Sequence, residues 1–106
     1  MNNKIQSTIS LCRRARFLMM GFDQVKDGVD AGLVKTVFTA QDLSEKTTKE
    51  VMYFCNKGQT PLFRLPVTKA EVGTAVGKSV GVFAVTDAGL AKTLESQGEE
   101  LTVKEE

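Results

Sequence analysis

Thr68-Lys69-Ala70-Glu71-Val72-Gly73-Thr74-Ala75-Val76-Gly77-Lys78-Ser79-Val80-Gly81-Val82-Phe83-Ala84-Val85 reads as a helix followed by a buried strand. Thr68 with Glu71 three residues later is a capping box, which satisfies two backbone donors and marks a helix start. Gly77 suits the helix end, where a left-handed residue is needed. The apolar run at residues 80–85 is the most hydrophobic of the chain and predicts a central strand. The segment also imitates a phosphate-binding loop at Gly73 to Ser79. Such a loop needs four residues between its glycines and must follow a strand and open a helix. Here three residues separate the glycines and the order is reversed. The glycines are therefore expected to serve packing and helix termination, with no nucleotide bound.

Upstream, the alternation continues. Ile5, Thr8, Ile9, Cys12 and Ala15 recur at helical spacing and predict a first helix over 3–17. Residues 17–20 form a short strand ending at Gly21. Asp23 is a plausible cap for a second helix ending at Gly32. Val34 to Ala40 is β-branched and predicts a buried strand. Ser44 caps a third helix with Thr47, Val51, Phe54 and Cys55 on its inner face and Gly58 at its end. Pro61 to Leu65 is a short strand. Downstream, Asp87 caps a last helix carrying Leu90, Ala91 and Leu94. Strand–helix–strand succession favours parallel pairing through crossovers. The predicted fold class is α/β, a three-layer α/β/α sandwich with a mixed sheet of about four strands. Residues 1–97 form one domain, and an acidic mobile tail is expected over 98–106.

The chain has 106 residues, 42% hydrophobic and 25% charged, which suits one domain with one core. No apolar run approaches the roughly 20 residues of a spanning helix, so cytosolic residence is expected, with no membrane partner. There is no histidine, which removes imidazole chemistry. Cys12 and Cys55 sit among apolar neighbours and read as reduced, packed thiols. No metal site, cofactor or catalytic constellation is recognisable, and an enzyme is not expected. The net charge is +1 but unevenly spread: Lys4, Arg13, Arg14 and Arg16 stand without an acid in residues 1–20. That patch suits a phosphate backbone, or equally a solvated helix face.

Gly21 to Gly32 departs from an ordinary capped helix. A glycine turn feeds a helix N-terminus that displays Asp23 and Gln24. Such an end carries unpaired N–H groups and partial positive charge, and side chains of these types can hydrogen-bond base edges.

These segments together resemble the kink-turn-binding ribosomal protein family, the large-subunit protein L-seven-Ae group, and in particular its bacterial YlxQ-type branch. The resemblance runs over residues 5–95. Its signposts are Arg13-Arg14-Ala15-Arg16, Gly21 to Gly32, Ala40-Gln41-Asp42-Leu43-Ser44, Glu71 to Lys78, and Ala84 to Ala91. It implies a three-layer sandwich and binding of RNA that bends at tandem sheared G·A pairs. The family's reading motif is Gly-Thr-Asn-Glu, two residues, then Lys. Here Gly21 matches, Phe22 stands for threonine, and Asp23-Gln24 exchanges amide and acid. Asp27 occupies the lysine position, with Lys26 about 100° away around the helix. The resemblance adds a second RNA-facing element, Lys78-Ser79-Val80-Gly81, with Val80 as an apolar tip against bases. The expected function is recognition of structured RNA, ribosomal or otherwise, by a monomer. The competing expectation is a protein-interaction or assembly module that kept the fold and lost kink-turn recognition.

Overall fold

The structure, a computed structural model, describes residues 3–102. The helices are α1 (Asn3–Arg14), α2 (Phe22–Asp30), α3 (Glu45–Lys57), α4 (Lys69–Val76) and α5 (Ala88–Glu95). The strands are β1 (Leu18–Met20), β2 (Thr36–Thr39), β3 (Leu62–Arg64), β4 (Val82–Val85) and β5 (Glu99–Glu100). No described helix is long and apolar enough to cross a membrane.

The five strands form one sheet in the order β1-β4-β2-β3-β5. Side chains alternate across it, as the two-residue period of a strand requires. Phe38, Phe83 and Val85 face one core together with Ile5, Ile9, Val72, Val76 and Leu94, so α1, α4 and α5 cover that side. Val37, Val82 and Ala84 face the other core with Val25, Val29, Val51 and Phe54, so α2 and α3 cover the opposite side. This is the expected α/β/α sandwich. β4 is buried along its whole length. Cover on both faces explains why its sequence is continuously apolar rather than alternating. Phe38 and Phe83 stack at 5.5 Å in the middle of the sheet.

The sheet is mixed, as expected, and the parallel pairing that the crossovers favour is realised at one place in it. Only β2 and β3 pair in parallel; β1–β4, β2–β4 and β3–β5 are antiparallel. The direction of β4 follows from the glycine segment quoted first. Gly77 ends α4 in a left-handed conformation at φ 93°. A Cβ at Gly73 would stand 3.1 Å from the backbone of Lys78 and Ser79, so the loop folds back against the helix it has just left. The chain thus re-enters the sheet at the end where β3 finished, and β4 runs against β2. The glycines terminate and pack, as their order in the sequence indicated.

Other boundaries differ for local reasons. α1 stops at Arg14, short of residue 17, because Arg16 takes φ 65° and the Phe17 N–H closes the helix on Cys12 O at 2.9 Å. The inner face of α3 carries Thr48 rather than Thr47. The tail expected from residue 98 instead begins with β5: Glu99 and Glu100 pair with Arg64 and Phe63, and Leu101 packs on the α2/α3 side. Residues 103–106 of that expectation lie outside the described residues.

Three buried threonines separate by their partners. Thr36 Oγ1 donates to Glu95 Oε2 at 2.5 Å and Thr48 Oγ1 to Ser44 O at 2.8 Å. Thr39 Oγ1 is fully buried and has none. A buried hydroxyl without a partner carries its desolvation cost unrelieved. Thr39→Val is therefore expected to raise the unfolding free energy by about 1 kcal/mol, roughly 4 °C in Tm. Thermal unfolding checks it, and an unchanged or lower Tm would show that the hydroxyl is satisfied in solution.

Candidate nucleic-acid interface

One end of the sheet collects most of the residues singled out above. β1, β2 and β3 finish there and β4 starts there. Gly21 follows β1 directly, and its N–H donates to Val82 O at 2.9 Å. Ala40, just past β2, donates to Gly81 O at 2.9 Å. The Gly21 turn and the Lys78–Gly81 loop are therefore held side by side by the first residues of β4.

Gly21 has φ 94° and ψ 152°, a region that side-chain-bearing residues essentially avoid. It is the N-cap of α2, and no side chain caps that helix. This corrects the expectation that Asp23 is the cap; Asp23 lies one residue inside the helix. α3, α4 and α5 by contrast are capped by Ser44, Thr68 and Asp87 as their sequences predict. The α2 N-terminus thus keeps its orphan donors and positive dipole end for an outside acceptor.

The side chains around it are partly committed. Gln24 Oε1 accepts from the Met20 N–H at 2.9 Å. This fixes the amide against β1 and leaves its NH2 group as the outward-facing function. Asp23 and Asp27 are exposed one turn apart. Lys26 Nζ sits 3.8 Å from Asp30 Oδ2, both exposed, a pairing too weak to immobilise the lysine.

On the neighbouring Lys78–Gly81 loop, Lys78 and Ser79 are exposed. Val80 is not. It is 6% exposed and belongs to the α1/α4/α5 core, so the expectation of an apolar tip against bases is corrected. Val80 instead packs in the same core as Val72 and Val76 of α4.

Arg13, Arg14 and Arg16 are exposed but stand elsewhere. They precede Phe17, whose carbonyl accepts from the Thr86 N–H, at the start of β1 and the end of β4. The arginines therefore flank the opposite end of the sheet from Gly21. Sequence adjacency concealed this, because β1 lies between the two groups.

Residues 40–43 form a third loop at the Gly21 end. Asp42 Oδ1 accepts from the Lys69 N–H at 2.8 Å, and Gln41 N–H donates to Val67 O at 2.7 Å. A Cβ on Gly81 would come within 2.8 Å of Leu43, so the two loops pack through that glycine. The stretch from Ala40 to Ser44 carried part of the resemblance, and that was the one signal for it in the sequence. Burial pushes the Cys12 thiol up from 9.0 to about 11, with the Asp87 carboxylate adding to it. Burial alone takes Cys55 to about 12. Both stay protonated at neutral pH and offer no nucleophile.

The sequence profile of the ribosomal protein L7Ae/L30e/S12e/Gadd45 family matches residues 3–95. The chain belongs to that family. Among its relatives, the RNA-binding protein YlxQ of Bacillus subtilis is 33% identical over 91 residues, covering 81% of this chain and 86% of the relative. YlxQ of Enterococcus faecium is 34% identical, covering 84% and 85%. The large ribosomal subunit protein eL30 of Tetrahymena thermophila is 25% identical, covering 90% and 93%. A solved structure of a Bacillus halodurans protein of unknown function superposes with a TM-score of 0.80 at 32% identity, covering 89% of this chain and 95% of that one. The L7Ae-type fold and the YlxQ-type likeness are thus established together.

Proposed function

We propose that the chain binds structured RNA, of the kinked type with sheared G·A pairs, at the sheet end formed by Gly21–Asp27 and Lys78–Gly81. The observation that carries this is the uncapped, glycine-led N-terminus of α2, in a chain whose relatives include proteins named for RNA binding and for the large ribosomal subunit. Gly21 lets a ribose–phosphate backbone approach without a Cβ in the way. The first-turn N–H groups of α2 face phosphate or base acceptors. Asp23 accepts from a guanine edge, and the Gln24 NH2 group donates to a ring nitrogen or carbonyl. Lys78 and Ser79 contact phosphate and 2′-hydroxyl groups from the opposing lip. Arg13, Arg14 and Arg16, at the far end, neutralise phosphates of a flanking stem without reading sequence. Structured ribosomal RNA is the proposed context.

A second reading is favoured by one specific feature. Asp23, Asp27 and Asp30 put three carboxylates on α2 against the single Lys26, a balance that suits a basic protein partner as well as RNA. Titration against a kink-turn RNA and a duplex of equal length, at two salt concentrations, separates the two. Tighter binding to the kinked RNA at both salts supports RNA reading. Equal binding to both, collapsing together at high salt, supports the protein-interaction module.

A further inference from the structure

The outer groove between α2 and α3 begins at the RNA site and is the only place where an exposed aromatic ring, a second aromatic pair and two lysines converge among the described residues. It is lined by Phe22, Lys26, Lys49, Glu50, Tyr53 and Phe54 and has a volume of about 390 Å³. Phe22 and Phe54 meet edge to face at 5.4 Å and form an apolar floor. Tyr53 is 69% exposed, more than any other large hydrophobic residue described. A tyrosine held that far out on a regular helix contributes little to the core. Lys49 lies one turn before Tyr53 on the same face and makes no ion pair among the described residues.

We infer that this groove stacks an unpaired nucleobase that leaves the kinked RNA beside Gly21. Tyr53 supplies the stacking face, and Lys26 and Lys49 hold the flanking phosphates. The inference rests on the proposed RNA reading. Three features choose this occupant. Phe22 follows Gly21 directly and lines the groove, so the groove adjoins the proposed site. The lining carries two cations against the single Glu50; Lys26 is held only by its weak, exposed pairing with Asp30, and Lys49 is left to meet a polyanion. A second copy meeting the first about a twofold axis would bring this lining against itself, with one Glu50 per copy to offset two lysines. Aromatic rings interleaved with basic side chains are the recurrent means of holding single-stranded nucleic acid without sequence choice.

The test uses a kinked RNA with blunt ends and versions bearing three unpaired nucleotides at each strand end in turn, with 2-aminopurine in the extension. One extension is expected to tighten binding about tenfold over the blunt RNA and to show quenched 2-aminopurine fluorescence. Tyr53→Ala should abolish both effects and leave the blunt RNA's affinity within about twofold, while Tyr53→Phe keeps them. No gain from any extension, or a gain that survives Tyr53→Ala, overturns the inference while the kinked-RNA reading stands. If blunt kinked RNA binds no better than duplex but an extension still gains through Tyr53, the reading of kinked RNA fails and the groove assignment holds. A concentration-dependent dimer in sedimentation that Tyr53→Ala dissolves would assign the groove to a second copy and overturn the proposal.

Discussion

Replacing Gly21 by alanine is expected to lower the unfolding free energy by about 1–3 kcal/mol, the usual cost of forcing a side-chain-bearing residue into a glycine-only conformation. Nothing lies within 4 Å of a Cβ built at Gly21. The penalty is therefore one of backbone conformation and not of collision. A conformational penalty can be relieved only by moving the turn, and the turn is what sets α2 beside the Lys78–Gly81 loop. Affinity for kinked RNA should fall together with stability, by tenfold or more on the order of one lost charge-assisted backbone contact. Chemical denaturation gives the first number and RNA titration well below the denaturation midpoint gives the second. Gly77→Asn is the control: Gly77, at φ 93° and ψ −4°, is in the left-handed region that asparagine tolerates. A Gly21→Ala protein as stable as wild type, with unchanged RNA affinity, would show that the turn relaxes freely and does not define the site.

The second large effect is a gain. Asp27→Lys is expected to tighten binding to kinked RNA by about 1–3 kcal/mol, roughly tenfold to a hundredfold. Asp27 is exposed one turn beyond Asp23, so at the proposed site its carboxylate would repel RNA phosphates. The substitution removes that repulsion and supplies a cation long enough to reach a guanine acceptor. It also turns a like-charge pair one turn apart into an acid followed by a lysine, worth about 0.3–0.5 kcal/mol to the helix. Stability should not fall, and any change in RNA affinity can be ascribed to the interface. The gain should be larger for kinked RNA than for duplex. An equal gain for both would mean that only general phosphate attraction has been added.

Much of the architecture was legible because it is encoded locally. Ser44, the Thr68–Glu71 box and Asp87 announced three helix starts, and each side chain makes the cap bond its type is suited to. The run at residues 80–85 announced a strand covered on both faces. Strand direction was not legible, since alternation of elements says nothing of which sheet end a chain returns to. The direction of β4 follows from a close approach that no residue pattern announces, the missing Cβ of Gly73 against the Lys78–Ser79 backbone. β5 was hidden for another reason: Glu99 and Glu100 are exposed and charged, and only their pairing with β3 makes them a strand. The candidate site was half legible. Gly21, Asp23, Gln24, Lys78 and Ser79 come together at one sheet end. Val80 turns inward, the arginines fall at the other end, and the Gln24 carbonyl is taken by the Met20 N–H. Tyr53 and Lys49 carried no motif at all; they matter only because α3 packs beside α2.

We propose that kinked RNA meets the protein at the Gly21 end of the sheet. Mapping backbone amide chemical shifts while adding kink-turn RNA tests it most directly. The largest perturbations are expected on Gly21 to Gln24 and on Lys78 to Gly81, weakening when the G·A pairs are replaced by Watson–Crick pairs, with smaller, salt-sensitive shifts at Arg13 to Arg16. Perturbations concentrated at Arg13 to Phe17, or the same pattern for kinked RNA and duplex, would contradict it.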